Sequence, residues 1–301
     1  MKIAIAGGTG FVGKALVDHF MKNNHEIVIL TRHIPNIKKR DNIRYVQWLS
    51  AHSDPISHLQ NTDIFINLAG ESINSGRWTD QRKNKILISR LEAVKELLAI
   101  MKKLDRKPIV FINASAIGIY GTSLDKVFTE DKQILGNDFL AETVRQWEYE
   151  ASFVARLGIR TAFCRFGIIL DRNEGALPKI ALPYKAYIGG NIGHGRQWMS
   201  WIHIEDVVKG ISFIIENEVV NGPINFTAPN PVPMSEFGKT LALVLHRPHW
   251  LSVPSFALQI LLGEMSTLVV DGQKVLPNKL IASGFEFTFP NLDKALQNIF
   301  S

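Results

Sequence analysis

Residues 1–13 read Met-Lys-Ile-Ala-Ile-Ala-Gly-Gly-Thr-Gly-Phe-Val-Gly, and this stretch decides the fold. The apolar run from Ile3 to Ala6 predicts a short strand that is covered on both faces, and the glycines after it cannot extend that strand. After Gly13 the apolar residues return at helical spacing. The glycines therefore lie in a turn between a strand and a helix, the context in which a glycine motif is informative.

The spacing of these glycines, Gly7-x-x-Gly10-x-x-Gly13, predicts a turn that binds a dinucleotide. Gly7 allows the tight turn, Gly10 lets a pyrophosphate approach the helix N-terminus, and Gly13 lets the helix pack close to the sheet. The alternative is a glycine-rich turn without a ligand. The cofactor-binding residues predicted in this turn are Gly7, Thr9, Gly10, Phe11, Val12 and Gly13.

A second predicted strand, residues 26–30, ends at Thr31 and Arg32. In a nucleotide-binding sheet this strand end lies beside the adenosine ribose, where an acidic residue would accept hydrogen bonds from the 2′-hydroxyl of NAD. No acid stands there, and Arg32 offers a planar cation that suits a 2′-phosphate. Thr31 and Arg32 therefore predict NADP(H) rather than NAD, and the alternative is an arginine on a surface loop.

Further apolar runs alternate with helical patterns along the first half of the chain. Strands are expected at 43–48, 63–68, 109–114 and 159–166, and helices at 79–103 and 139–157. This alternation predicts an α/β protein with a doubly wound parallel sheet, a Rossmann fold, over residues 1–166. Residues 167–301 are expected to form a smaller C-terminal α/β lobe that binds the substrate, with parts of 200–226 returning to the first domain.

The fourth strand ends in a short polar segment that is expected to face the ligand crevice. Its small residues would allow close passage of the cofactor. Glu71, which follows them, is either a crevice carboxylate or a solvent-facing loop residue. Two cations of the long helix could reach the cofactor if that helix crosses the crevice. The further cofactor-binding residues predicted here are Leu68, Ala69, Gly70, Lys85 and Arg90.

The composition indicates a globular protein with a substantial core, because 46% of its 301 residues are hydrophobic. The formal net charge of +6 is scattered apart from a short cluster at Lys38, Lys39 and Arg40. A solvated basic surface is therefore expected, and no nucleic-acid partner. The single cysteine, Cys164, is predicted to be a buried strand residue in a reducing compartment. It lacks neighbours for a structural zinc site, and no metal site is predicted.

No uninterrupted apolar stretch reaches the roughly 18 residues that a membrane span needs. The N-terminus leads directly into the glycine turn without a signal-peptide pattern. We therefore expect a cytoplasmic protein without a membrane partner.

The glycine turn and the 67–71 segment, together with residues 115–121 and Trp201-Ile202-His203-Ile204-Glu205-Asp206, resemble the extended short-chain dehydrogenases/reductases over the whole chain. The chain is most similar to a divergent subgroup whose members are labelled epimerase family proteins, sugar-nucleotide epimerases or cell-division inhibitors. The resemblance implies a Rossmann fold and a nicotinamide cofactor. It also makes a homodimer possible.

The sequence departs from this resemblance at the catalytic pair. Extended-family enzymes use Tyr-x-x-x-Lys, but none of the five tyrosines here has a lysine four residues later. Aligning the family helix on Trp147 and Glu148 puts the expected pair at Leu140 and Val144, neither of which transfers a proton. At the position of the diphosphate-binding arginine of nucleotide-sugar enzymes the chain has Met199.

Proton transfer would therefore need another donor, and Ser115, Glu71 and Tyr120 are the candidate catalytic residues by position. On a strand Ser115 faces away from Ala116, the position of the family's catalytic serine or threonine. His203 also lies near the expected crevice, but a packed histidine is expected there. The sequence favours an NADP(H)-dependent oxidoreductase or epimerase acting on an unidentified small substrate. The alternatives are a non-catalytic NADP(H) sensor and, from the subgroup's label alone, a division regulator.

Overall fold

The computed structural model describes residues 1–35, 42–50, 53–131 and 135–301, apart from the side chain of Leu261. The basic cluster of Lys38, Lys39 and Arg40 lies outside these ranges. Within them, no helix has the length and apolar character to cross a membrane.

The described residues form short strands and helices that alternate through most of the chain. The strands are β1 (Lys2–Ala6), β2 (Glu26–Thr31), β3 (Ile43–Gln47), β4 (Ile64–Asn67), β5 (Val110–Ala116), β6 (Val127–Phe128), β7 (Arg160–Phe166), β8 (Ile168–Leu170), β9 (Gly190–Ile192), β10 (Trp198–Met199), β11 (Trp201–His203), β12 (Gly222–Phe226), β13 (Val232–Pro233), β14 (Leu251–Val253) and β15 (Lys274–Val275). The helices are α1 (Phe11–Lys22), α2 (Ile56–Leu59), α3 (Asp80–Lys103), α4 (Phe139–Ser152), α5 (Leu177–Lys185), α6 (Ile204–Glu216), α7 (Met234–Leu245), α8 (Ser255–Leu262), α9 (Thr267–Val270), α10 (Asn278–Ala282) and α11 (Leu292–Phe300).

The central sheet has the strand order β12-β7-β5-β4-β1-β2-β3, and its pairings are all parallel. The first strand lies inside it, with Ile3 opposite Ile27 on one side and Ile64 on the other. One face packs against α1 and α6, and the other packs against α3 and α4. Covering on both faces explains why the strands read as continuous apolar runs. The predicted doubly wound fold is confirmed.

The second half of the chain completes this sheet. Strand β12 pairs with β7, so that Ile224 lies opposite Cys164. Helix α6 packs against α1 in the same apolar core as β1. A separate core, formed largely by α5, α7 and α11, holds the C-terminal lobe together. Helix α6 and strand β12 therefore extend the central sheet and one of its covering layers.

Two positions in the second half of the chain depend on close contacts with distant residues. Strand β9 pairs in parallel with β14, with Gly190 opposite Leu251. A Cβ on Gly190 would overlap the Leu251 carbonyl, so glycine is required there by close approach of two backbones. Asp206 lies inside α6 and accepts hydrogen bonds from the backbone N–H groups of Thr288 and Phe289 at 2.7 and 3.0 Å.

The N-cap of α6 is His203, whose Nδ1 accepts the backbone N–H of Glu205 at 3.1 Å. His203 is 4% exposed, and its ring centre lies 4.1 Å from that of Phe289 with the two rings tilted by 37°. Burial lowers the pKa of this imidazole. His203 is thus a packed capping residue, as the sequence favoured.

Candidate functional site

The glycine turn between β1 and α1 is tightly constrained by its own backbone. Gly7 has a φ of +80°, and a Cβ there would lie 2.8 Å from the Leu68 carbonyl group. A Cβ on Gly13 would overlap the carbonyl oxygen of Gly7. Gly13 therefore allows α1 to begin directly against the turn. The sequence had instead predicted that Gly13 lets the helix pack close to the sheet.

The N-terminus of α1 is open. Gly10 is its N-cap and supplies no side-chain hydrogen bond, and Thr9 and Gly10 are exposed. The loop after β8 borders this opening, since Lys14 Nζ lies 3.1 Å from a carboxylate oxygen of Glu174. Uncapped amide groups and the helix dipole make such an end suited to an anion.

A buried asparagine pair, which the sequence analysis missed, fixes the segment beside this turn. Asn67 and Asn113 face each other across β4 and β5, and Asn67 Nδ2 donates to Asn113 Oδ1 at 2.7 Å. Asn67 Oδ1 accepts the backbone N–H of Ala69 at 3.1 Å, which holds the segment that touches Gly7. Both strands contain Phe-Ile-Asn, at residues 65–67 and 111–113, and this repetition was the available signal.

Glu71 is held as a carboxylate by α3. Arg82 Nη1 lies 3.0 Å from Glu71 Oε1, and Arg82 also donates to the Ser72 carbonyl. The hydrogen bond from Arg82 lowers the pKa of Glu71, and the charges of Lys85 and Arg32 lower it further against the opposing effect of burial. A carboxyl group in this state is a poor proton donor at neutral pH.

Arg90 lies beneath the strand ends rather than in solvent. Its Nη1 donates to the carbonyls of Glu71 and Ile86 at 3.0 and 2.8 Å, and its guanidinium lies 5.1 Å from the ring centre of Trp147. Burial lowers the pKa of Arg90 to about 10. A Cβ on Gly70 would lie 3.2 Å from this side chain, so Gly70 makes room for Arg90.

Thr31 and Arg32 follow β2 at the same edge of the sheet. Thr31 Oγ1 donates to the His33 carbonyl at 2.9 Å, and Arg32 is exposed. The positive charge of Arg32 helps to lower the pKa of Glu71. Lys85 is exposed on α3 and acts on Glu71 in the same way.

A cavity of about 420 Å³ opens at the carboxyl ends of β5 and β7. Ala116 and Phe166, the last residues of those strands, contribute to its wall. Leu140 and Val144, one turn apart on α4, contribute apolar surface from the side. Arg90 lies at its border and connects it to the 67–71 segment.

The three predicted proton donors do not belong to the described lining of this cavity. Ser115 is 3% exposed, because it lies within β5 and donates to Glu148 Oε1. Tyr120 is 2% exposed, donates to Asn225 Oδ1 at 2.8 Å and accepts from Arg165 Nη1 at 2.8 Å. Burial raises the pKa of its phenol.

The cavity carries carboxylates that the sequence did not single out. Asp138 caps α4 by accepting the Ala141 N–H at 2.9 Å, and Glu264 forms an ion pair with Lys83. Asp271 also lines the cavity, and burial raises its pKa. The charge of Asp138 raises that pKa further, whereas His194 lowers it.

Comparison with known proteins agrees with this architecture. The model of the NAD dependent epimerase/dehydratase family matches residues 3–150, and that of a domain of unknown function (DUF1731) matches residues 253–299. The epimerase family protein YfhF of Bacillus subtilis is 50% identical over 299 residues, which cover 99% of this chain and 98% of the relative. An epimerase family protein of Staphylococcus aureus is 46% identical over 302 residues, with the same coverage of 99% and 98%.

Two solved structures are also similar over the whole chain. The human epimerase family protein SDR39U1 (isoform 2), crystallised with NADPH, has a TM-score of 0.88 at 30% identity and covers 100% of this chain and 99% of its own. The nucleoside-diphosphate sugar epimerase from Corynebacterium glutamicum has a TM-score of 0.80 at 28% identity and covers 100% of this chain and 58% of its own.

The fold and the comparisons define an extended short-chain dehydrogenase/reductase. The chain belongs to the NAD-dependent epimerase/dehydratase family, among the epimerase family proteins. The resemblance inferred from the sequence is confirmed at the level of the family.

Proposed function

We propose that this protein binds NADP(H) along the carboxyl edge of its sheet and acts as an oxidoreductase on a small substrate in the adjoining cavity. One observation carries the proposal: the site elements follow one another in the order that an extended dinucleotide requires. Exposed Arg32 follows β2, the open end of α1 follows β1, and the cavity adjoins β5 and β7. Ligands of open α/β sheets bind in this crevice.

The residues present fit such a cofactor. The glycine turn is a cradle that a Cβ on Gly7 or Gly13 would fill, so the backbone amides of α1 are accessible to a pyrophosphate. The guanidinium of Arg32 would bind the 2′-phosphate by charge-assisted hydrogen bonds. When bound, the cofactor supplies a hydride, and the apolar walls at Leu140 and Val144 would exclude water from it.

The human structural neighbour supports the choice of NADP(H), because that protein was crystallised with NADPH. Other structural neighbours, at 15% identity, contain NAD and support the fold alone. The preference here therefore rests on Arg32 and on the absence of an acid at the end of β2.

Substitution of Arg32 tests this proposal. NADPH and NADH affinities are measured by the change in nicotinamide fluorescence for the wild type, Arg32→Asp and the control Arg156→Asp. Arg156 is exposed and precedes the amino end of β7, far along the chain from the glycine turn. We expect tighter binding of NADPH by the wild type and the control, and loss of that preference in Arg32→Asp. An unchanged preference in Arg32→Asp contradicts the proposal.

A second candidate is a non-catalytic NADP(H) sensor. It is favoured by the side chains at the cavity, since Leu140 and Val144 cannot move a proton and the predicted donors face elsewhere. NADPH oxidation with a panel of small aldehydes and ketones separates the two. Turnover above background that Arg32→Asp abolishes supports the oxidoreductase, whereas tight NADPH binding without turnover supports the sensor.

A further inference from the structure

We propose that the cavity selects an apolar, ring-bearing substrate without a negative charge, and that it excludes sugar nucleotides. The inference rests on the proposed function, because it names the substrate class of the same site. It follows from three properties of the described cavity: its walls, its charges and its size.

The walls of the cavity are largely apolar, and the tryptophans among them present aromatic rings. Trp78 Nε1 donates to the Ile73 carbonyl at 2.9 Å, and Trp198 Nε1 donates to the Leu124 carbonyl at 2.8 Å. Three indoles line the cavity. Those of Trp78 and Trp198 have thus used their only donor within the chain, whereas the buried Nε1 of Trp147 has no hydrogen-bond partner among the described residues. Part of each indole is already in contact, since Phe139 packs edge-on to Trp78 with 5.3 Å between ring centres and Lys274 Nζ lies 4.4 Å from the Trp198 ring centre. The indole surface that lines the cavity is aromatic, and such surface packs well against another ring.

The charges disfavour an anion. Among the described lining residues Arg90 is the only lysine or arginine, and its Nη1 is already bonded to two backbone carbonyls. Three carboxylates line the same cavity, namely Asp138, Glu264 and Asp271. A phosphate group would need unengaged cations, as in bidentate arginine sites. Asp138 and Asp271 would repel it, whereas the charge of Glu264 is offset by its ion pair with Lys83.

The volume of the cavity also favours a ligand smaller than a sugar nucleotide. Small-molecule sites span about 300–1,000 Å³, and drug-sized ligands fill them closely. A cavity of about 420 Å³ lies near the lower end of that range. If it also accommodates the reactive ring of the cofactor, the remaining space suits a compound of one or two rings and not a nucleoside diphosphate with its sugar.

A matched pair of probes tests the selectivity. 2-Naphthamide and 2-naphthoate share one ring system and differ in charge, and UDP-glucose represents the sugar nucleotides. Isothermal titration of the full-length protein saturated with NADPH, at neutral pH, should show 2-naphthamide binding at least about tenfold more tightly than 2-naphthoate. UDP-glucose should not displace it. Equal or tighter binding of 2-naphthoate, displacement by UDP-glucose, or no binding of 2-naphthamide would overturn the proposal.

Variants locate the binding. Leu140→Asp adds a carboxylate to the wall and should weaken 2-naphthamide binding about tenfold, whereas Leu243→Asp, on the exposed side of α7, should not. Asp271→Asn removes a cavity carboxylate, so the ratio of 2-naphthamide affinity to 2-naphthoate affinity should fall by about threefold or more. The exposed control Asp293→Asn should leave this ratio unchanged. Asp271 is exposed enough for this variant to fold if Leu140→Asp does not. An unchanged ratio in Asp271→Asn contradicts the assignment.

The same titrations without nucleotide separate this inference from the proposed function. If NADPH does not bind, the proposed function is contradicted. The ratio of 2-naphthamide to 2-naphthoate affinity in the nucleotide-free protein still tests the cavity, and a ratio near one overturns the inference alone.

Discussion

Glu148 binds the guanidinium of Arg165 through both carboxylate oxygens, with Nε–Oε1 and Nη2–Oε2 distances of 2.8 Å. Their side chains are 11% and 7% exposed. The remaining partners are Ser115, which donates to Glu148, and Tyr120, which accepts from Arg165. Hydrogen bonding to Glu148 raises the pKa of Arg165 against the effect of burial. Together with Ser115, the pair connects α4, β5 and β7.

Removing Glu148 should destabilise the protein strongly. Glu148→Ala leaves the buried guanidinium without its counter-ion, and breaking one partner of a buried pair costs about 3–5 kcal/mol of unfolding free energy. Urea unfolding followed by circular dichroism measures this. Glu142→Ala is the control on the same helix, because it removes an exposed pair with Arg145 and should cost about 0–1 kcal/mol. Similar losses in the two variants would contradict a structural role for Glu148.

Adding a methyl group at Gly13 should disturb the turn. In Gly13→Ala the new Cβ meets the Gly7 carbonyl oxygen, and such overpacking costs about 1–3 kcal/mol. Thermal unfolding should show a lower midpoint, and NADPH affinity should fall because the cradle shifts. Gly118→Ala is the control, since its Cβ would make only an ordinary contact of 3.5 Å with Leu140. A Gly13→Ala protein with wild-type stability and affinity would contradict the steric account.

The Glu71–Arg82 ion pair should make stability depend on acid pH. Because the pKa of Glu71 is lowered in the folded protein, its contribution is complete at neutral pH. It decreases as the pH falls below about 4.3, where the unfolded chain takes up the proton first. Glu71→Gln should be less stable than the wild type at pH 7 and should lose less stability on acidification.

Unfolding free energies from urea titrations across this pH range check the effect. Glu92→Gln, an exposed change on α3, is the control and should follow the wild type. A wild-type acid dependence in Glu71→Gln would show that the ion pair contributes nothing measurable.

Cys164 should report global unfolding. Its thiol is fully buried in β7, and burial raises its pKa, so that little of the reactive thiolate forms. We expect no labelling by a thiol-specific disulfide reagent in the native protein and one label per chain in denaturant. Labelling rates in increasing urea should follow the unfolding transition. Rapid labelling of the native protein would contradict the burial that both sequence and structure assign to this residue.

Strands and helices of the first half could be predicted closely, because their signals are local. The apolar run Ile3–Ala6 and the apolar stripe along α3 can each be recognised from residues that lie close together in the chain. The glycine turn could also be predicted, since Gly7 must adopt a positive φ.

The candidate site was predicted only in part. Ser115 and Tyr120 lie at the strand ends that the sequence indicates, but their hydroxyl groups turn into a buried network rather than toward the cavity. Asp271 and Asp138, which do line the cavity, come from segments without a recognisable motif. Position along the chain therefore identified the edge of the sheet where the cavity opens, but not the side chains that line the cavity.

The sequence by itself determined the alternation of strands and helices, the family and the glycine cradle, because hydrophobic period and glycine geometry act between near neighbours. The tertiary structure decided which polar groups face the cavity. Those choices depend on partners far apart in sequence, such as Tyr120 and Asn225, which are separated by 105 residues. A buried hydroxyl turns toward whichever partner satisfies it, and that partner is present only once the sheet has assembled.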